Sequence, residues 1–291
     1  MIYGLNHIGK TEVSLDKYRL TKDVRPIEHV VYIPRAMVIT TLPYTRCEGA
    51  EFIRHNGHHR LSVLASESVG IPYGIIPRLL LIWITTEAKI HKSKDIELGS
   101  SFKDFMSKLN MGCTGGKNGT IRSVRKQLRS LFQCSVSSSI MVDEHQDLEH
   151  GMRLADYSHF WWQPNSIIGN KTGYIMLSER FYNEIAYSAI PIDLRAVRAL
   201  QQSPMALDIY MWLSWRVFAL KRPCVIPWSE LQKQFGANYT KLWHFENAFT
   251  KHLVSVKMVY PQLLAHAVKG NGLMLQPCPP HVLPIVDKPV N

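Results

Sequence analysis

The sequence predicts an α+β chain, mainly α, in which one layout occurs twice: three helices, the third basic on its outer side, then a two-stranded hairpin. Three observations carry this. Within 121–132, Ile121, Val124, Leu128, Leu131 and Phe132 form one helical stripe and Arg122, Arg125, Lys126 and Arg129 the opposite one, the rhythm of a helix buried along one side. After Phe132 the period switches to two, with Cys134, Val136, Ser138, Ile140 and Val142 alternating against Ser135, Ser137, Ser139 and Met141, as a strand requires. The order of helices and then a hairpin returns over 205–275 without obvious sequence identity.

The bulk numbers agree. At 291 residues and 46% hydrophobic, the chain can bury two cores. Its net charge of +11 draws polyanions by long-range attraction. Nucleic acid or an anionic membrane would answer that charge, but the most apolar runs, 79–86 and 209–220, are too short to span a bilayer and the second holds Arg216. The first twenty residues lack the basic start, apolar centre and cleavage site of a secretory signal. A cytoplasmic protein without a membrane partner is expected. Cys47, Cys113, Cys134, Cys224 and Cys278 are odd in number, dispersed and never Cys-x-x-Cys, which points to free thiols and away from a zinc ribbon or disulfide framework.

Residues 1–70 read as a strand-containing N-terminal region, with short runs at 30–33, 36–42 and 61–65 between turns at Pro34, Pro43 and Asn56-Gly57. Pro77 suits a first helical position, and Leu79, Leu80, Trp83, Ile84 and Ala88 give that helix a broad apolar face before a break near Gly99. Ser100 or Ser101 caps a short helix carrying Phe102, Phe105, Met106 and Leu109. The turn at 112–119 (GCTGGKNG) then leads into the basic helix, and helix, glycine-containing turn, basic helix is how a helix-turn-helix reads. A polar stretch, 143–150, separates the strand at 134–142 from a second extended run, 152–162, with which it can pair. Three helices followed by a hairpin is the order of a winged helix, so 71–177 is the first such domain, closed by 174–177.

Ser178 caps a helix over 179–187 and Pro191 breaks the chain before the second module. There 205–220 is a long buried helix and 227–235 a short one ended by Gly236. Residues 239–256 form an amphipathic third helix, with Leu242, Phe245, Phe249, Leu253 and Val256 inward and Lys241, His244 and Lys251 outside. A hairpin of 263–268 and 273–275 turns at Lys269-Gly270-Asn271-Gly272, where Asn-Gly is the favoured pair. Residues 178–291 thus read as a second winged-helix domain with a C-terminal tail.

A duplex-binding surface needs cations for phosphates and planar donors for base edges. Lys117, Asn118 and Thr120 stand at the N-terminal end of the first recognition helix, where backbone N–H groups also favour phosphate. Arg122, Ser123 and Lys126 are the candidates for base or flank contact, and Arg125 and Arg129 for phosphate clamps. Asn238, Tyr239, Lys241 and His244 occupy equivalent places in the second module with Lys269 on its wing, while Trp243 and Phe245 compete as packing residues. A solvated helix face would show the same charges.

With these residues in view, the chain resembles the RepA-type plasmid replication initiators, whose C-terminal region is labelled plasmid-encoded RepA protein. The likeness is carried by GIPYGIIPRLLLIWITTEA at 70–88, IELGSSFKDFMSKLNM at 96–111 and TGGKNGTIRSVRKQLRSLF at 114–132. LPYTRCEGAEFIRHNGHHRLSV at 42–63 is similar to the family's leader. YIMLSERFYNEI, SPMALDIYMWLSWR and IPWSELQKQFG are similar to its second half. The resemblance covers about 33–285. It implies winged-helix binding to repeated origin sites, duplex opening, recruitment of host replication proteins (initiator and helicase), repression of its own promoter, and a homodimer that represses while monomers initiate. One departure is the acidic stretch 143–149 (DEHQDLE) between the strands of the first wing, which phosphates would repel; it would face a protein partner or solvent instead.

Three other readings are weaker. His55, His58 and His59 in HNGHH invite comparison with metal-dependent nicking enzymes, but Asn56-Gly57 makes a turn and no His-apolar-His strand exists. Gly115-Gly116-Lys117 lacks the first glycine and the Ser/Thr of a phosphate loop and follows a helix. Cys278 and His281 lack a second ligand pair. No catalytic residue, metal or cofactor is therefore expected, and a winged-helix transcriptional repressor is the alternative binding protein.

Overall fold

The computed structural model describes residues 29–99, 101–116, 119–143, 146–160, 173–236 and 239–283. Backbone contacts divide the chain into two units, one drawn from Val31–Ile190 with Glu230–Asn238, the other from Pro191–Ser229 with Tyr239–Asn291.

In the first unit β1 (Val30–Ile33) leads into α1 (Arg35–Ile39). The apolar run after Pro34 was expected as a strand over 36–42. It is instead a single helical turn and a half that buries Met37, Val38 and Ile39, because a short apolar run does not by itself choose between periods. Next come β2 (Glu51–Asn56) and β3 (His59–Leu64). Asn56 pairs with His59 across Gly57-His58, and Gly57 has φ +55°, the geometry of a two-residue hairpin with glycine first. HNGHH is therefore a hairpin tip. The hairpin does not stand apart, since β3 pairs antiparallel with β5 further along.

The central helix α2 (Ile75–His91) buries Leu79, Leu80, Leu81, Ile82, Ile84 and Ala88. It starts two residues before Pro77, which sits third in the first turn, where its missing N–H is still one that no helix bond needs. A strand absent from the sequence reading, β4 (Asp95–Gly99), follows; only Ile96 and Leu98 point inward, too short an alternation to register. Ser101 caps α3 (Phe102–Lys108), accepting the Asp104 N–H, as the sequence requires. Then come α4 (Thr120–Gln133), β5 (Ser135–Asp143), β6 (Gln146–Arg153), β7 (Ala155–His159) and β8 (Gly173–Leu177), and Ser178 caps α5 (Glu179–Ser188).

Two antiparallel sheets result, β2-β3-β5-β6 and β4-β8-β7. The expected partner of β5 changes. It pairs with Gln146–Arg153, from Ser135↔Arg153 to Asp143↔Gln146, so most of the expected polar loop is strand and the acidic stretch is no wide wing. Strand pairing is a backbone property and can override unfavourable composition. The run expected at 152–162 splits instead between the end of β6 and β7; Trp161 and Trp162 lie outside the described residues.

The second unit follows β9 (Ile190–Asp193). The Asp193 carboxylate caps α6 (Leu194–Leu200), accepting the Arg195 N–H at 2.8 Å and pairing with its guanidinium at 2.9 Å. Ser203 caps α7 (Pro204–Phe218), where Pro204 takes the first turn and nearly every side chain from Met205 to Ser214 is buried. Then come β10 (Cys224–Pro227), α8 (Trp228–Phe235), of which Glu230–Phe235 fall in the first unit, α9 (Leu242–Val259), β11 (Ala265–Val268) and β12 (Gly272–Leu275), the strands ordered β10-β12-β11. Two details differ from expectation. α9 begins at Leu242, and Leu242 is exposed rather than inward. The hairpin turns on Gly270, at φ +71°, not on Asn271-Gly272.

Gly272 opens β12, and a Cβ there would overlap the Ile226 carbonyl oxygen and stand 2.8 Å from its carbon. Gly272→Ala is expected to cost about 1–3 kcal/mol by forcing β10 aside, seen as a lower urea midpoint; an unchanged midpoint would contradict this close packing. The core between α9 and the sheet is aromatic. The Trp228 ring lies 5.6 Å from Phe249 and 6.3 Å from Phe245, with its indole N–H on the Val268 carbonyl. The chain after β12 is held through His281: Tyr260 donates to the Pro279 carbonyl, and buried His281 stacks on Tyr260 at 4.4 Å and meets the Tyr210 hydroxyl at 2.8 Å.

Candidate nucleic-acid interface

The turn before α4 is built from its own polar groups. The Thr120 hydroxyl accepts the Thr114 N–H at 3.0 Å and donates to the Gly112 carbonyl at 2.5 Å, while the Thr114 hydroxyl accepts the Thr120 N–H at 3.1 Å. Thr120 therefore shapes the turn. Gly119 is the N-cap, and a Cβ there would overlap the Thr114 carbonyl oxygen. Gly116, at φ +89°, supplies a left-handed backbone angle in the turn. Lys117 and Asn118 lie outside the described residues.

Along α4, Val124, Leu128, Leu131 and Phe132 are buried and Ile121 half-buried. Two buried polar side chains that sequence reading passed over fix the helix further. Gln127 accepts the Tyr73 N–H at 2.9 Å, and Ser130 donates to the Val69 carbonyl at 3.0 Å. With that side held, Arg122, Ser123, Arg125, Lys126 and Arg129 are all exposed. The four cations span about 10 Å of helix at 1.5 Å per residue, and no acidic residue lies between Thr120 and Gln133. Like charges three and four residues apart cost a few tenths of a kcal/mol each, a cost that a polyanion removes. Aromatic rings steady two of them: Arg125 lies over Phe102 at 5.2 Å and Lys126 over Tyr73 at 5.9 Å.

The second candidate surface is more divided. Asn238 lies outside the described residues. Tyr239 is half-buried with its ring edge-on to Phe245 at 5.8 Å, a packing position. Lys241 is exposed at the N-cap of α9, and His244 is exposed and stacked on Trp243 at 3.5 Å. Lys269 is exposed in the hairpin turn. Glu246, unremarked in the sequence, accepts the Gly270 N–H at 3.0 Å and so fixes that turn to α9.

Not every cation serves a surface. Arg54 and Arg78 are each 2% exposed. Arg78 donates to the carbonyls of Gly74 at 2.6 Å, Pro43 at 3.2 Å and Leu42 at 2.7 Å. Burial pushes the Cys134 thiol up to about 12, which leaves it protonated and inert at neutral pH. Among the described residues no group of three His, Cys, Asp or Glu is placed to hold a metal ion, and no helix is long and apolar enough to cross a membrane.

The profile of the family described as plasmid encoded RepA protein matches residues 71–229, more than half of the chain. The chain belongs to the plasmid-encoded RepA protein family. The RepA match runs from just before α2 to the start of α8, so it includes α4 and its turn, and it supports a replication-initiator role. The fold is also similar to crystal structures of domains 2 and 3 of RctB. One aligns at a TM-score of 0.50 and 12% identity over 83% of this chain and 95% of that one. Another, of selenomethionine derivatives, aligns at 0.51 and 12% over 84% and 98%. At that identity the likeness is one of fold. No curated protein sequence matches significantly.

Proposed function

We propose that this RepA-family chain is a sequence-specific, duplex-binding plasmid replication initiator built on two winged-helix modules, acting as a binding protein rather than an enzyme. The observation that carries the reading is α4: a helix fixed by a buried stripe, with four cations and no carboxylate on the side left to solvent. Element order supports the two modules. Helix, strand, helix, helix and two closing strands describes both α2-β4-α3-α4-β7-β8 and α7-β10-α8-α9-β11-β12, with the β5-β6 hairpin inserted in the first. In each sheet the last strand lies in the middle, as β4-β8-β7 and β10-β12-β11.

In this reading Arg122, Ser123 and Lys126 reach base edges, Arg125 and Arg129 clamp phosphates, and Lys241, His244 and Lys269 make the second contact. Origin opening, recruitment of host initiator and helicase, self-repression through a homodimer and a cytoplasmic location complete the proposal. Arg122→Ala should cost about 1–3 kcal/mol on the specific duplex and little on random duplex, whereas Arg129→Ala should weaken both alike. Equal losses on both duplexes for Arg122→Ala would refute its assignment. A transformation assay separates the initiator from a repressor with the same surface: an initiator supplied in trans maintains a plasmid carrying the origin, and a pure repressor does not.

A further inference from the structure

Beside Lys241 and His244, which the duplex reading uses, α9 carries exposed side chains that it does not, among them Trp243, Asn247 and Lys251. Its buried stripe is Phe245, Phe249, Leu253 and Val256. At about 100° per residue, Trp243 stands roughly 160° round the helix from Phe245 and cannot reach that core. It is 55% exposed, and its neighbour Leu242 is 42% exposed. His244 stacks on the indole at 3.5 Å with 27° between the ring planes. One and two turns on, Asn247 and Lys251 are exposed on the same side as Trp243, and Lys241 is exposed just before it. The one carboxylate within α9, Glu246, is engaged with the Gly270 N–H.

A tryptophan left in water at a place where helical geometry denies it the core, backed by an imidazole and followed by an amide and a cation, has the chemistry of a base-stacking contact. Aromatic faces stack on any unpaired base, and the cations follow the backbone phosphates. We infer that Trp243, backed by His244 and followed by Asn247 and Lys251, is a platform for unstacked nucleobases, and that this face of α9 binds single-stranded DNA. The inference rests on the reading of the chain as a DNA-binding protein, but on a different helix from α4.

The test uses the full chain and a fluorescent oligothymidylate of about 15 nucleotides, beside an oligomer of equal length whose central residues are abasic. The two carry the same phosphates and differ in bases. The wild type should bind the thymidylate about 5- to 150-fold tighter, from the 1–3 kcal/mol that stacking one base contributes. Trp243→Ala should lose that preference and Trp243→Phe keep most of it, with far-ultraviolet circular dichroism unchanged in both. Equal binding of the two oligomers by the wild type, or an unaltered preference in Trp243→Ala, would overturn the inference. So would a change in sedimentation without a change in preference, since the aromatic face would then serve self-association. Duplex binding by the Arg122 and Arg129 variants is read separately, so failure of the platform and failure of the duplex reading are distinguishable.

Discussion

Replacing Arg122, Arg125, Lys126 and Arg129 together by glutamine is expected to lower affinity for the specific duplex by about 10³-fold at 0.1 M salt while leaving the fold intact. Each phosphate contact contributes a slope of about 0.9 in log affinity against log salt, so at a tenth of molar salt it supplies nearly tenfold over the molar reference. The two clamps, Arg125 and Arg129, multiply to between about 10- and 100-fold, and losing the base-edge contacts of Arg122 and Lys126, at about 1–3 kcal/mol each, brings the loss on the specific duplex to about 10³-fold or more. The fold survives because all four side chains are exposed, glutamine is a good helix former, and the buried stripe is untouched. Removing the i, i+3 and i, i+4 repulsions should even raise the melting temperature slightly. Fluorescence anisotropy with labelled duplex and a thermal melt check both halves; lost binding together with a lost melting transition would mean that the helix had been broken rather than discharged.

Arg78→Ala is expected to do the reverse, lowering stability by about 3 kcal/mol or more, since each buried carbonyl left unmet costs about 1–3 kcal/mol. Its guanidinium joins Leu42 and Pro43 to the start of α2 through three carbonyl oxygens and lies over the Tyr44 ring at 5.1 Å. Alanine would leave those carbonyls without this donor, and buried acceptors left unmet cost their desolvation. Arg78→Lys should recover only part of the loss, since an ammonium cannot reproduce the planar fork. Urea denaturation checks it: an unchanged midpoint would contradict the structural role. Arg78, within the 70–88 stretch that carries the family resemblance, is thus explained by tying two chain segments together.

The parts legible in the sequence are those with long periods or side-chain caps. α4 showed itself through a stripe sustained from Ile121 to Phe132, and α3 and α5 through the serines that cap them. The strands β4 and β10 escaped because four or five residues hold too few alternations, and β6 escaped because QDLEHGMR reads as polar loop until β5 is found beside it. α1 escaped because Met37, Val38 and Ile39 form an apolar run without a period. At the candidate site the charges were plain, but their anchoring was not. That Thr120 closes its own turn, that Gln127 points inward to the Tyr73 N–H, and that Glu246 holds Gly270 are tertiary facts without a local signature. Trp243 is the converse case: an aromatic read as packing, which the phase of α9 turns to solvent.

The most direct test of duplex binding through α4 is the salt dependence of binding to one duplex from 50 to 200 mM, for the wild type and the fourfold glutamine variant. If the bound modules neutralise six to ten phosphates, wild-type affinity falls about 10³- to 10⁵-fold over that range, and the slope for the variant is shallower by about 2, from the loss of the Arg125 and Arg129 clamps. Equal slopes for the two proteins would show that the exposed cations of α4 meet no phosphate and that the duplex, if bound, lies elsewhere.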